Sequence, residues 1–343
     1  MIKLDLITGF LGSGKTTFLK KYVSYFLAKG QRIGILENDF GAVNVDVMLL
    51  QDIIGENCEL ETISGGCDCC THSRRLKTKL IAMGMDGYDR VVMEPSGIFE
   101  PEELFDVLYE EPLEKWYEAG NVITIVDAGL SENLSKSSRY LFTTQLANAG
   151  MVVFSKVQDY VSPRSKDRGF SPQGISPAGD LEVSVNSVNH PSKGENQLSR
   201  IKKRIASYLQ EFDCKRHLDE NEMLEKDWDL FTEEDLKKLE VCGFQRADYR
   251  KFWIKEEDLY TSLYYMNRKY TEQELKELSG RIFGDEKCGN VLRIKGFFRD
   301  GGVWHEFNAE GKHMHSRTVK EGQEVLIVIG EKLHKDVIDR YFD

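Results

Sequence analysis

No apolar run in this chain approaches the 18 or so residues that a membrane-spanning helix needs. Nor is there an excess of positive charge: 46 Lys and Arg stand against 57 Asp and Glu, a net charge of −11. Nucleic acid and anionic membranes select basic surfaces, so neither is expected as a main partner. A secretory segment is missing as well. The first apolar stretch, MIKLDLIT, is short, carries Asp5 and runs straight into a glycine-rich loop, so a cytoplasmic protein is expected. Proline is scarce, with seven in 343 residues, and four of these fall between 161 and 199. That stretch is also rich in Ser, Gly and Asn and shows no periodicity, so it is read as an irregular or disordered insertion.

Cysteine is present in an odd number, seven. Cys67, Cys69 and Cys70 stand too close to pair conveniently with one another. In a reducing compartment such a cluster more often binds metal or carries redox chemistry than forms structural disulfides. Cys58, Cys214, Cys242 and Cys288 are scattered and read as small core or surface residues.

What remains is ordinary for a globular protein: 41% apolar and 30% charged residues, in a length that suits about two domains. Residues 2–8 read as a strand. In 15–29, Phe18, Leu19, Tyr22, Phe26 and Leu27 share one helical face, and Gly30 stops the helix. RIGILEN, RVVMEPSG, NVITIVDA and GMVVFSK are short apolar runs of the kind buried in parallel sheets, with a helical stretch at 72–84. Strands alternating with helices imply an α/β domain whose mostly parallel sheet is covered on both faces. Helical texture returns at 198–211, and the charged segment 216–257 reads as a helical linker region. From 258 to 343 a strand, a helix opened by a Thr271–Glu274 capping box, four more strands and a closing helix make a smaller α+β domain.

GFLGSGKT, from Gly9 to Thr16, matches G-x-x-x-x-G-K-[ST] in full, with a strand before it and a helix after it. Gly12 and Gly14 permit the tight backbone, whose N–H groups converge on phosphate with the positive end of the helix. Lys15 reaches the β- and γ-phosphates, and the Thr16 hydroxyl is placed for Mg²⁺. Ser13 and Thr17 complete the nucleotide-contacting run. The loop alone does not separate GTP from ATP, or an enzyme from a switch. Glu94, at the end of a buried strand, is placed to hold a water on Mg²⁺, and Gly97 allows a backbone N–H near the γ-phosphate. Lys15 and Glu94 are therefore the catalytic candidates. Three thiols beside Gly65 and Gly66 can converge on a borderline-soft ion such as Zn²⁺; a redox pair is the other reading.

GFLGSGKTT, ENDFG, GGCDCC and EPSG, in this order, resemble the CobW-type P-loop GTPases, the class that also includes relatives serving hydrogenase and urease maturation. LRIKGFF, VWHEFN and VLIVIG resemble that family's C-terminal domain, so the likeness covers about 1–159 and 255–343. It implies a P-loop GTPase domain over 1–215. It also implies a transition-metal site, zinc or cobalt, at Cys67, Cys69 and Cys70, with Glu37 as an extra ligand and Asp39 in the switch segment near Mg²⁺. The activity implied is slow, Mg²⁺-dependent GTP hydrolysis coupled to metal delivery. The client would be a metalloprotein or a cobalamin-related enzyme, with a nucleotide- or metal-dependent dimer as one possible assembly. A non-catalytic metal store or sensor, and an ATP- or GTP-dependent activator of corrinoid proteins, are the competing readings. The chain departs from the family at the base motif, usually [NST]-K-x-D. Here Ser155, Lys156, Val157 and Gln158 occupy it, with Asp159 one place late. A glutamine accepts a hydrogen bond from guanine without charge assistance, so a weaker preference for GTP over ATP is expected. Many members of that family also carry a histidine-rich stretch; this chain has seven histidines, and His313 and His315 of its HMH read as solvent-facing, with an auxiliary metal site as the other reading.

Overall fold

The computed structural model describes residues 1–39, 47–64, 69–161, 197–254, 260–311 and 313–343. The first part runs β1 (Ile2–Gly9), α1 (Lys15–Ala28), β2 (Ile33–Asp39), α2 (Val47–Leu50), β3 (Cys58–Ser64) and α3 (Cys69–Gly84). It continues with β4 (Arg90–Pro95), α4 (Pro101–Leu108), α5 (Leu113–Trp116), β5 (Tyr117–Asp127), α6 (Lys136–Asn148) and β6 (Met151–Ser155). Then follow α7 (Gln158–Val161), α8 (Gln197–Glu211), β7 (Met223–Leu224) and α9 (Glu233–Glu240). The seven strands form one sheet in the order β3-β2-β4-β1-β5-β6-β7, and every pair is parallel. All residues of β4 and β6 are buried, which accounts for the apolar runs Val91–Met93 and Met151–Phe154 within them. α1 lays Phe18, Leu19, Tyr22, Val23 and Phe26 on the sheet. A left-handed Gly30 ends the chain's helical run, as its lack of a Cβ allows.

Beneath the sheet Asp5 is fully buried and saturated with donors. It accepts from the Tyr22 hydroxyl at 2.7 Å and the Asn121 backbone N–H at 2.7 Å, and it pairs with Arg90. The Arg90 guanidinium also lies over the Phe26 ring, 4.2 Å from its centroid. Burial, reinforced by Asp5, holds the Tyr22 hydroxyl well above its ordinary pKa.

Residues 216–257, expected as a helical linker region, are instead built largely into this first layer. β7 adds an edge strand beside β6. α9, with Thr232 and Asp235 closing a capping box, sends Leu239 into the core with Phe18 and Val153. The insertion expected at 161–199 lies, from 162 to 196, outside the described residues; 197–199 belong to α8.

The second part holds β8 (Tyr260–Met266), α10 (Glu272–Gly284), β9 (Asn290–Asp300), β10 (Val303–Glu310), β11 (His313–Val319), β12 (Val325–Glu331) and α11 (Lys335–Phe342). Its five strands form an antiparallel sheet ordered β11-β10-β9-β12-β8. The Thr271–Glu274 capping box forms as expected. α10 and α11 cover one face. Phe297, Val325 and Ile327 form an apolar patch that meets Leu11 of the glycine-rich loop. A second tie lies at Glu331, buried, which accepts from Ser138 at 2.7 Å and Asn290 at 2.7 Å and is bonded to Ser135. Among the described residues no helix is long and apolar enough to cross a membrane.

Candidate nucleotide and metal site

The strand-to-helix turn after β1 is shaped by three glycines of positive φ, Gly9, Gly12 and Gly14. Gly14 is the left-handed N-cap of α1 and offers no side-chain cap, so the first amides of the helix are left to a ligand. Ser13 is buried and Lys15 is 8% exposed, while Thr17 is exposed at the start of the helix. Gly97 sits against the same loop. A methyl group there would press into the Leu11 backbone, and its carbonyl accepts from the buried Gln145 amide at 3.0 Å. The structure thus brings Gly12, Ser13, Gly14, Lys15, Thr16, Thr17 and Gly97 together.

The Thr16 hydroxyl donates to Glu94 at 2.9 Å. Glu94 stands in register with Glu37 on the neighbouring strand, and both are buried. One strand further out, Ser64 at the end of β3 is in register with Asp39 at the end of β2. β3, which precedes the cysteines in sequence, therefore ends beside the strand that carries Glu37. Cys67 and the side chains of Asp39, Cys69 and Cys70 lie outside the described residues; the backbone of Cys69 and Cys70 opens α3. Among the described residues no group of three or more His, Cys, Asp or Glu is arranged to hold a metal ion.

On the other side of the loop, Ser155 ends β6 and Lys156 turns into the left-handed region at φ 56°. Its ammonium donates to Asp127 at 2.6 Å, to Glu310 at 3.1 Å and to the Gly12 carbonyl at 3.3 Å. Burial works against the Lys156 charge, but the carboxylates of Glu310 and Asp127 outweigh it and raise its pKa. Gln158 is exposed at the start of α7, and the Asp159 side chain lies outside the described residues.

Three contributors escape a reading of the sequence. Asp127 is an acidic residue at the end of an apolar strand, the same cue that marks Glu94. Trp228 donates its indole N–H to Phe154 at 2.8 Å and sets its ring against Gly14. Glu310 comes from the second sheet and carries no cue at all. The described parts share one cleft of about 2100 Å³, lined among others by Lys15, Thr16, Glu37, Glu94, Gly97 and Lys156. Arg293, Lys295 and Arg317 of the second sheet line the same cleft.

Residues 4–168 match the family described as CobW/HypB/UreG, nucleotide-binding domain. Zinc chaperone YeiR of Escherichia coli (strain K12) is 33% identical over 167 residues, covering 48% of this chain and 49% of that protein. Zinc chaperone YjiA of the same strain is 34% identical over 134 residues, covering 37% and 41%. Zinc-regulated GTPase metalloprotein activator 1 of Schizosaccharomyces pombe (strain 972 / ATCC 24843) is 27% identical over 161 residues, covering 45% and 39%. The chain thus spans about half or less of the length of these relatives. With a complete phosphate loop at Gly9–Thr16 and a carboxylate bonded to its threonine, residues 4–168 are similar to the CobW/HypB/UreG nucleotide-binding domain, a match that spans just under half of the chain.

Proposed function

We propose that this chain is a GTP-hydrolysing metallochaperone that carries a transition metal, zinc first and cobalt second, to a client protein. The observation that carries the reading is the row formed by Thr16, Glu94 and Glu37. It joins the phosphate loop to β2, the strand paired with β3, after which the cysteines follow in sequence. The names of the relatives, zinc chaperones and a zinc-regulated GTPase, support zinc as cargo.

Lys15 and the loop amides bind and orient the phosphates. The oxygen donors of Thr16 and Glu94 suit a hard cation, so these residues would hold Mg²⁺, which when bound neutralises phosphate charge. Cys67, Cys69 and Cys70 offer thiolates to the cargo and Glu37 a carboxylate. Metal uptake then requires proton loss from the thiols and weakens at low pH. Nucleotide state sets metal affinity through the segment 37–70, and by linkage metal sets nucleotide affinity by the same factor.

The test pairs two measurements. Phosphate release is followed in wild type and Lys15→Ala. Metal is titrated in GDP and in a non-hydrolysable GTP analogue, on wild type and on a Cys67/Cys69/Cys70→Ser variant. The reading expects release to be lost in Lys15→Ala and metal to bind about 5–150-fold more tightly with the GTP analogue. Equal metal affinity in both nucleotide states would leave a store or sensor, with no delivery switch.

A further inference from the structure

Glu310, at the last position of β10, belongs to the second sheet, yet its carboxylate lies against the backbone of the phosphate loop. A methyl group on Gly12 would overlap it. Three groups around that carboxylate are those an anion seeks, and the Asp127 carboxylate shares one of them, Lys156. Lys156 donates to Glu310 at 3.1 Å, Arg293 approaches to 3.7 Å, and the Asn308 amide stands at 3.4 Å. Three features of the place, a glycine-rich loop at a helix N-terminus, a lysine and an arginine, also suit phosphate. Lys156 does not depend on Glu310 for its charge partner, because Asp127 holds it at the shorter distance of 2.6 Å.

We propose that Glu310 is an affinity-setting residue of the nucleotide site: its carboxylate stands in for phosphate at the edge of the loop, and nucleotide loading displaces it. The inference rests on the nucleotide-site reading above and adds a second domain to it. Two anions so near one loop repel, so the loop takes either Glu310 or the full charge of a triphosphate. Displacement removes the Glu310 carboxylate from beside Lys156 and Arg293, which keep their bonds to Asp127 and Asn308. It also undoes one of the ties between the sheets, while the Glu331 contacts to Ser135, Ser138 and Asn290 are untouched. The second sheet thereby reads whether the site is loaded.

The test is calorimetric titration of the full chain with guanosine, GDP and a non-hydrolysable GTP analogue, for wild type and Glu310→Gln. Glu310→Gln keeps the shape and removes the charge. We expect about tenfold tighter binding of the triphosphate, a smaller gain for GDP and none for guanosine. Unchanged or weaker triphosphate binding overturns the proposal, as does an equal gain for guanosine, which would make Glu310 an influence on the base through Lys156. Amide hydrogen exchange on wild type gives a readout free of any variant. Exchange in 308–311 should rise when the GTP analogue binds, and unchanged or slower exchange there speaks against displacement. Failure of wild type to bind any nucleotide would overturn the site assignment itself, and this inference with it.

Discussion

The hydroxyl of Thr16 donates to Glu94 across 2.9 Å, joining the first turn of α1 to the end of β4. Two oxygens from distant parts of the chain thus meet beside the phosphate loop. If they share a Mg²⁺ ion, neither alone should suffice. We expect Glu94→Gln and Thr16→Val each to lower turnover about 100-fold. Magnesium-free nucleotide binding should change little, and Thr16→Ser should retain activity. Steady-state phosphate release across a magnesium series checks this. Full activity in Thr16→Val would remove the hydroxyl from the site.

Gln158 stands exposed where base-reading relatives carry an aspartate. Hydrogen bonds to a charged acceptor are about twice as strong as neutral ones. Gln158→Asp should therefore raise the ratio of GTP to ATP affinity by about tenfold, a difference of roughly 1.4 kcal/mol. A competition titration measures the ratio. If it stays the same, Gln158 does not face the base and Asp159 becomes the residue to change.

The Asp5–Arg90 pair is a stability element remote from the chemistry. Their side chains are 0% and 5% exposed. Asp5→Ala strands a buried guanidinium and should cost about 3–5 kcal/mol in urea unfolding. Tyr22→Phe removes one hydrogen bond to the same carboxylate and leaves the ion pair standing, at a cost nearer 1 kcal/mol. Equal losses in the two variants would mean that cavity formation, and not charge, dominates.

Acid stability should depend on Asp235. Burial opposes its charge, but Lys226 and the Thr232 backbone and hydroxyl lower its pKa to about 2. A depressed carboxylate stabilises the fold above its unfolded value and loses that contribution as pH falls through the folded one. The loss for Asp235 should therefore run from near pH 4 down to about pH 2. In Asp235→Asn this step should be absent, with stability already lower by about 1 kcal/mol at neutral pH through the weakened cap. Parallel pH–stability curves for the two proteins would contradict the assignment.

The legible parts of this chain were those where one local pattern decides the outcome. The strands β1, β4, β5 and β6 carry short, largely apolar, β-branched stretches, and the phosphate loop is a spacing motif. β3 was not legible, because it lies at the sheet edge and alternates Glu59 and Glu61 with apolar residues. Those carboxylates pair with Arg32 and Lys79, so the strand reads as charged surface. α6 was hidden for the opposite reason. Nearly all of it is buried, from Tyr140 to Asn148, so no polar face marks a period. α4 did carry its cues, a proline at the first turn and Glu102 and Glu103 beside it. At the site, Lys15, Thr16 and Glu94 follow from spacing along the chain. Asp127 and Glu310 do not, since they reach Lys156 only through strand order and the placement of the second sheet.

Strand order also sets how far anything must travel between the two loops with which the chain begins. From the end of β3, where the cysteine segment starts, to the end of β1, where the phosphate loop starts, the sheet counts β3, β2, β4, β1. Three steps at the usual strand spacing come to on the order of 15 Å. Glu37 and Glu94 fill the two middle lanes at matching heights. A link between the two loops can thus be a matter of neighbours leaning on neighbours. A shift in either loop has only the ends of β2 and β4 to cross before it reaches the other.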